Sequence, residues 1–373
     1  INQLSGWKTG GSMGDSDREF YSQKYTELII PAGVTSIRDS AFYGCTSFRD
    51  NTHPIKVDFN LQSSFTSIGA SAFDGCAGIT VVDFSGCEKD ALITSIGESA
   101  FAGCRLTNII PGSQLTELSL NHWGEDLHVF VRVDSGFVPD FTDDSGDKDL
   151  YCTDCGCLVY GTFAPTSSAT KISSGAFCGC AGVTAVDFSK NNENFTSIGA
   201  NAFDGCALQT IVAGHGIERI SLPEWGNNFY VFRVQSDSPY IPNYSTNHLY
   251  NSGCGCLVYG TFAPTGGTFI GAQAFWGCGG ITAVDFSNFV LPNQTYSIGV
   301  QAFYHCSGIR SYTFSSKQLY DEPFSVGSFA FAGCAVLGKV ISDSIDVAVE
   351  LLAHMVVSSP SWMSAEFWTT STK

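Results

Sequence analysis

The sequence predicts a β-rich solenoid, in which short coils stack around one shared core. Its first sign is the pentapeptide Ala-Phe-x-Gly-Cys, which occurs seven times, with an eighth copy in which His305 replaces Gly. The cysteines of these copies follow one another at intervals of 31, 28, 76, 26, 72, 28 and 28 residues. A β-type run such as Ile79–Phe84 follows several copies, with its first, fourth and sixth residues large and apolar. One such coil cannot bury its own apolar face, but a stack of eight can.

The pentapeptide predicts the centre of each coil. We expect Ala-Phe to lie on a short helical turn, with the Phe ring filling the coil and the Gly closing the turn without steric cost. Phe and Cys then recur at equivalent core positions in every coil. These repeat-core residues are Phe42, Cys45, Phe73, Cys76, Phe101, Cys104, Phe177, Cys180, Phe203, Cys206, Phe275, Cys278, Phe303, Cys306, Phe331 and Cys334.

A longer period overlies the coils and marks two β-rich insertions, at about 112–165 and 213–264. Cys155–Pro165 is repeated as Cys254–Pro264 at an offset of 99 residues. Val129–Val133 and Tyr230–Val234 alternate as half-buried strands do. We expect each insertion to form a hairpin-like extension that stands off one face of the solenoid, so that the two give equivalent contact points.

The ends of the stack need caps, and these complete the predicted domains. Residues 1–34 are expected to form an N-terminal cap, 35–341 the solenoid, and 342–373 a C-terminal capping helix with a tail. From Ser344 the apolar residues recur every 3.6 residues, and Pro360 ends this pattern. The helix is expected to cover the last coil.

The net charge and the short apolar runs exclude several classes of function. Eighteen Lys and Arg against 35 Asp and Glu give a net charge of −17, so the chain lacks the basic footprint of a nucleic-acid binder. No apolar run approaches the ~20 residues that span a bilayer, so no membrane insertion is expected. The chain starts at Ile1 without Met or a signal-like segment, which we interpret as a processed chain or as part of a longer one.

Cysteine content and sequons favour an extracellular or cell-surface glycoprotein. Fifteen Cys are typical of an oxidising compartment. The three Asn-x-Ser/Thr sequons, which predict N-linked glycans, begin at Asn194, Asn243 and Asn293.

The pattern Ile-Gly-x-x-Ala-Phe-x-Gly-Cys-x-x-Ile resembles the BspA-like (Treponema pallidum type) leucine-rich repeats. The resemblance covers about 35–341, apart from the insertions. One departure is the return strand, which keeps the family's Ile-Pro ending at Ile30-Pro31 and Ile110-Pro111 and elsewhere becomes Asp-Phe-Ser. The resemblance implies a right-handed leucine-rich-repeat solenoid with a curved parallel sheet, a surface or secreted location, a frequent link to adhesion, and no catalytic residues.

The cysteines leave alternatives open. The eight repeat cysteines are expected to form a ladder of inert buried thiols, although adjacent coils are close enough for disulfides. Cys254 and Cys256 either bridge each other, reach a repeat cysteine or pair between chains. The candidates for disulfides are Cys152, Cys155, Cys157, Cys254 and Cys256. Zinc is less favoured, because the first insertion supplies three Cys ligands at most.

A recurring outward Asp precedes the core Phe of the β-run. The resulting acidic row comprises Asp58, Asp83, Asp187 and Asp285. It either holds a cation or a partner's basic groups, or it only solvates a strand face. We predict no cofactor, with Ca²⁺ the one ion that the row leaves open.

Three functions remain. The favoured one is a structural or adhesive repeat protein that acts through contacts with other proteins, including copies of itself in filaments or an extracellular layer. It is favoured because outward positions such as Thr184 and Ala185 are small and lack the aromatic and Arg anchors of a binding hot spot. The alternative is a recognition module that binds a protein or glycan on its concave face. A secreted hydrolase is disfavoured, because the sequence carries no hydrolase motif.

Overall fold

The described part of the chain forms a β-solenoid of three consecutive blocks, in a computed structural model. That part comprises residues 27–30, 34–45, 54–59, 65–86, 93–142, 150, 157–166, 169–191, 195–235, 242–245, 256–265, 269–288, 296–306, 308–314, 324–332, 334, 339–342 and 367–369.

Block 1 holds the first three pentapeptides between two parallel sheets. The strands of its main sheet are β1 (Glu27–Ile29), β3 (Ile55–Asp58), β5 (Ile79–Asp83) and β7 (Asn108–Ile110). Those of its short sheet are β2 (Ser36–Ile37), β4 (Ser67–Ile68) and β6 (Ser95–Ile96).

Block 2 begins with the first insertion, which forms antiparallel strands and then joins the parallel coils. Its main-sheet strands are β8 (Leu115–Glu117), β9 (Leu127–Arg132), β10 (Leu158–Phe163), β12 (Val183–Asp187) and β14 (Thr210–Val212). Its short sheet pairs β11 (Lys171–Ile172) with β13 (Ser197–Ile198).

Block 3 repeats this plan with the second insertion. Its main-sheet strands are β15 (Ile217–Ile220), β16 (Phe229–Val234), β17 (Leu257–Phe262), β19 (Ile281–Asp285), β21 (Ser311–Phe314), β23 (Lys339–Ser342) and β24 (Phe367–Thr369). Its short sheet contains β18 (Phe269–Ile270), β20 (Tyr296–Ile298) and β22 (Phe324–Val326). Two 3-10 turns, Asn121–Trp123 and Pro223–Trp225, precede the long antiparallel strands.

The pentapeptide phenyl rings stack along the core of each block. The ring of Phe73 lies 5.0 Å from that of Phe42 and 5.1 Å from that of Phe101, with both pairs nearly parallel. The same spacing joins Phe177 to Phe203 in block 2. Since each coil supplies one ring, the aromatic stack sets the coil-to-coil register of the core.

Two kinds of glycine make the coils possible. The Gly at the fourth position of the pentapeptide has positive φ, for example +71° at Gly103, and His305 takes the same conformation with φ 58°. The Gly of Thr-Ser-Ile-Gly is needed for a different reason: a Cβ at Gly97 would lie 2.6 Å from the Cα of Ala70 in the preceding coil. Side-chain-free backbone therefore lets adjacent coils hydrogen-bond there.

The predicted solenoid is confirmed, but the expectation that the insertions stand off its face is wrong. β10 pairs in parallel with β12, and β17 with β19, so the last strand of each insertion belongs to the same sheet as the parallel coils of its block. β9 buries residues on both of its faces, because Val129 and Phe130 are each at most 4% exposed. A freely projecting hairpin would leave at least one of these side chains in water.

Aromatic residues of the insertions extend the core stack inside their own blocks, and backbone hydrogen bonds join neighbouring blocks. The Phe141 ring stacks 4.4 Å from that of Phe177 and packs edge-on against Trp123. Tyr244 takes the equivalent place in block 3, 5.1 Å from Trp225. Blocks 1 and 2 are joined through the backbone, where Gly103 N–H donates to Gly179 at 2.8 Å.

The caps predicted for the two ends of the chain are described only in part. The C-terminal helix predicted from Ser344 lies outside the described residues. β1 falls in the segment expected to be the N-terminal cap, where it pairs in parallel with β3 as a further strand of the main sheet. The right-handed sense of the coil, its curvature and the domain boundaries stay predictions.

Candidate functional site

The outer face of the main sheet is the surface that the repeat presents most regularly. In β12 the burial pattern leaves Thr184 and Ala185 half-buried and buries Val183 and Val186. β19 has the same pattern, with Thr282 and Ala283 outward. This outer face is built of small side chains, because the large apolar residues of each run point into the core.

The recurring Asp of the acidic row caps the end of its strand. The carboxylates of Asp83, Asp187 and Asp285 each accept a hydrogen bond from the backbone N–H of the Ser two residues later, at 2.8, 2.8 and 2.9 Å. Such a bond turns the chain at the strand end. Sequence reasoning missed this role, although the repeated Asp-Phe-Ser was a visible signal for it.

The four Asp do not form one continuous row. Asp58 and Asp83 are neighbours across β3 and β5, but Asp187 lies beside Val212 and Asp285 beside Thr313. The described residues contain no group of three or more His, Cys, Asp or Glu arranged to hold a metal ion.

Lys56 neutralises a group of acidic residues in block 1. Its Nζ lies 2.7 Å from Asp83, 3.0 Å from Asp58 and 3.7 Å from Glu27. The hydrogen bond to Asp83, followed by that to Asp58, raises the pKa of Lys56 above its usual range. Burial alone would raise the pKa of Asp83, but its bonds from Lys56 and Ser85 leave that pKa below the ordinary value. This end of the sheet is thus a closed ion-pair network.

The repeat cysteines form a hydrogen-bonded ladder inside the blocks. In five of them the Sγ donates to the carbonyl oxygen of the Phe one coil earlier, whereas the Sγ of Cys180 donates to the carbonyl of Cys178 at 3.9 Å. The pairs are Cys76 to Phe42 at 3.1 Å, Cys104 to Phe73 at 3.2 Å, Cys206 to Phe177 at 3.2 Å, Cys306 to Phe275 at 2.8 Å and Cys334 to Phe303 at 3.0 Å. Burial raises the pKa of Cys104, Cys206 and Cys306 well above the ordinary thiol value, and that of Cys334 to about 12. Thiols held in this way stay protonated and are poor nucleophiles.

The candidate disulfide and glycosylation residues are only partly described. Cys157 and Cys256 are buried just before β10 and β17, whereas Cys152, Cys155 and Cys254 lie outside the described residues. No disulfide joins two described cysteines. Asn243 is exposed, and its side-chain oxygen accepts bonds from the N–H and hydroxyl of Ser245 at 2.9 and 2.6 Å. Asn194 and Asn293 lie outside the described residues.

The insertions carry the aromatic anchors that the outer face lacks. In block 2 the Glu117 carboxylate lies 2.6 Å from His128, whose ring stacks 4.6 Å from Tyr160. In block 3 the equivalent positions are Arg219, Tyr230 and Tyr259. The Arg219 guanidinium lies 4.9 Å from the centre of the Tyr230 ring, which stacks 4.8 Å from Tyr259.

These two aromatic faces share a scaffold and differ in charge. Glu117 and Arg219 occupy the same register, opposite Phe130 and Phe232 respectively. Arg219 and Tyr230 cannot replace a Glu–His pair in acid–base chemistry, so the repeated feature of the two faces is an aromatic platform. Such platforms suit contact with a partner.

Comparison with known proteins supports the repeat architecture. A family profile described as the BspA type leucine-rich repeat region matches six copies, over residues 16–87, 56–123, 155–282 and 268–348. Among functionally curated proteins, no relative matches the sequence. In the described residues, no helix has the length and apolar character that crossing a bilayer requires.

Three solved structures are similar at low identity. A leucine-rich repeat protein from Bacteroides ovatus is 17% identical, with 93% of this chain and 67% of that chain covered and a TM-score of 0.22. A leucine-rich cell surface protein from Faecalibacterium prausnitzii is 16% identical, with coverages of 94% and 89% and a TM-score of 0.21. A leucine-rich repeat protein from Eubacterium ventriosum is 16% identical, with coverages of 92% and 68% and a TM-score of 0.22.

TM-scores this low mean that the whole chains do not superpose. The family profile is different, because its matches span more than half of the sequence and include the pentapeptides of all three blocks. The chain belongs to the BspA-type leucine-rich repeat family.

Proposed function

We propose that this protein is a secreted or cell-surface glycoprotein that acts as a structural or adhesive repeat protein, through contacts with other proteins and not through catalysis. The observation that carries the proposal is the regular outer face, on which Thr184, Ala185, Thr282 and Ala283 repeat at equivalent positions. A face of small side chains on a rigid core can approach a flat partner closely. The location rests on family membership, the cysteine content and the sequons.

Self-association is the form of contact that this surface favours. Equivalent positions recur along the stack, so a second copy can meet the same small residues at several coils. A head-to-tail contact that does not close would extend into a filament or layer. The net charge of −17 opposes this contact at low ionic strength, and salt screens that repulsion.

The test is the mass of the purified protein over a range of concentrations, by light scattering with electron microscopy of the same samples. We expect association that increases with concentration and with salt. Ala185→Arg and Ala283→Arg should weaken it, because each places a long charged side chain on the outer face. Ser113→Arg, at an exposed position away from that face, is the matched control. A monomer at every concentration would contradict self-assembly.

A recognition module is the second candidate, and the aromatic platforms favour it. Tyr230 and Tyr259, with Arg219 over the Tyr230 ring, combine the residue types that dominate binding hot spots. A chain that stays monomeric and loses binding to a protein or glycan ligand upon Tyr230→Ala would support this role over self-assembly.

A further inference from the structure

A small pocket opens where coils of all three blocks come together. Its volume is about 160 Å³, and its walls include Arg105 from block 1, Gln209 from block 2, and Thr282, Gly308 and Arg310 from block 3. None of the residues that line it is acidic. In a chain with a net charge of −17, two arginines at one pocket are an exception to the overall charge.

The stacking of the coils explains why the two arginines meet, although 205 positions separate them in sequence. Arg105 directly precedes the buried Leu106, at a position where later coils have Ala207 and Gly308. These small residues leave room along the stack that the Arg105 side chain can enter. The backbone N–H of Arg310 donates to the carbonyl oxygen of Thr282 at 2.8 Å, which fixes the Arg310 backbone against that coil.

The charge of Arg310 has no counter-ion in the described part of the chain. Its side chain makes no ion pair there, and its Nη1 atom is buried without a hydrogen-bond acceptor. Burial lowers the pKa of Arg310 to about 10, with no carboxylate that offsets the desolvation. A buried donor without a partner destabilises the folded state, and a charged one does so more strongly. An anion in the pocket would supply the missing counter-charge.

We propose that this pocket binds a small oxyanion group, namely a carboxylate, sulfate or phosphate, between Arg105 and Arg310. Guanidinium groups bind such groups through two parallel N–H···O bonds, and the pocket brings two guanidiniums to one ligand. The pocket is smaller than the ~300–1,000 Å³ of drug-sized sites, so it suits one anionic group on a compact carrier. This proposal does not depend on self-assembly. Its test is made at protein concentrations at which light scattering gives the mass of a monomer.

The test is isothermal titration calorimetry of the whole chain with sodium sulfate, sodium phosphate and sodium glucuronate, at constant ionic strength. We expect saturable binding at one site. Preference for sulfate or phosphate would identify a free inorganic anion, and preference for glucuronate an acidic sugar. Arg105→Gln and Arg310→Gln should each weaken binding at least tenfold. Arg38→Gln, at an exposed position of block 1, should leave it unchanged.

A further variant tests the pocket with both arginines intact. Gln209→Glu places a carboxylate at its wall, so we expect it to abolish anion binding and to raise the melting temperature. Circular dichroism before titration checks that each variant is folded. The proposal is overturned if none of the three anions binds saturably, if the arginine variants bind as the parent does, or if Gln209→Glu leaves binding unchanged.

Discussion

The Sγ atom of Cys104 lies 3.2 Å from the carbonyl oxygen of Phe73, one coil earlier in the same block. This bond explains why Phe and Cys recur together. The Phe ring fills its own coil, and the carbonyl of that same Phe accepts the thiol of the next coil. A disulfide would need the two sulfur atoms to face each other, whereas here the sulfur of Cys104 faces a backbone oxygen.

Thiol labelling of the native protein should separate ladder cysteines from exposed ones. Cys178 is exposed, so we expect iodoacetamide to modify it readily. Cys104, Cys206, Cys306 and Cys334 should resist, because burial keeps their thiols protonated. Peptide mass mapping reads each site, and labelling after unfolding is the control. Equal rates at Cys178 and Cys104 in the native protein would contradict the buried ladder.

Gly97→Ala should destabilise the protein by about 2–3 kcal/mol, measured by urea denaturation. The new Cβ would lie 2.6 Å from the Cα of Ala70, so two coils would have to separate. Gly205→Ala is the matched control, because its Cβ would meet its nearest atom, the Cα of Gly179, at 3.3 Å. Gly205→Ala should lower the free energy of unfolding by about 1 kcal/mol, because alanine is strained at the positive φ of +74°. Equal losses in the two variants would show that close approach between coils is not the constraint.

Asp204 should make stability depend on pH between about 4 and 6. Burial raises its pKa to about 6, an effect that a hydrogen bond from the Trp276 side chain only partly offsets. The folded state therefore holds this proton more tightly than the unfolded state. Its stabilising contribution is complete below the unfolded pKa, near 4, and is lost as the pH rises through 6.

Asp204→Asn removes the ionisable carboxyl and with it the loss of stability at higher pH. The amide keeps an oxygen that can accept the hydrogen bond from the Trp276 side chain. We expect the free energy of unfolding to rise by about 1–3 kcal/mol at pH 7.5, with little change at pH 4. Glu98→Gln, the same loss of one charge at an exposed position, should change it by less than about 0.5 kcal/mol. If Asp204→Asn had the same effect at both pH values, the cause would not be the titration of Asp204.

Lys56→Met should destabilise block 1 by about 1–2 kcal/mol at pH 7, because Asp83 would keep its charge without the counter-ion. The pKa of Asp83 lies below its ordinary value, so the stability that this pair contributes is present above the unfolded pKa and is lost as the pH falls. The difference between variant and parent should therefore shrink at pH 3. Lys190→Met, at an exposed position, is the control. Chemical denaturation at both pH values measures the effect.

The positions of residues whose role lies within one coil could be predicted from the sequence. The pentapeptide predicted the buried Phe, and the β-run predicted its own inward and outward positions, because both patterns follow from local backbone geometry. The role of Asp187 was harder to predict, since an outward carboxylate suits a solvated strand, a cation site and a turn cap equally well. Only the position of the Ser189 N–H distinguishes among these.

The sequence alone determined that the chain winds into coils, since one apolar Phe and one β-run in each coil of 26 to 31 residues can be buried together only by stacking. Tertiary structure decided how the insertions take part. Strand β10 alternates in the same way whether it projects or pairs with β12, and the backbone bonds that separate these outcomes reach across the fold. It also decided that Arg105 and Arg310 line one pocket, because their separation depends on how the three blocks stack and not on the residues beside them.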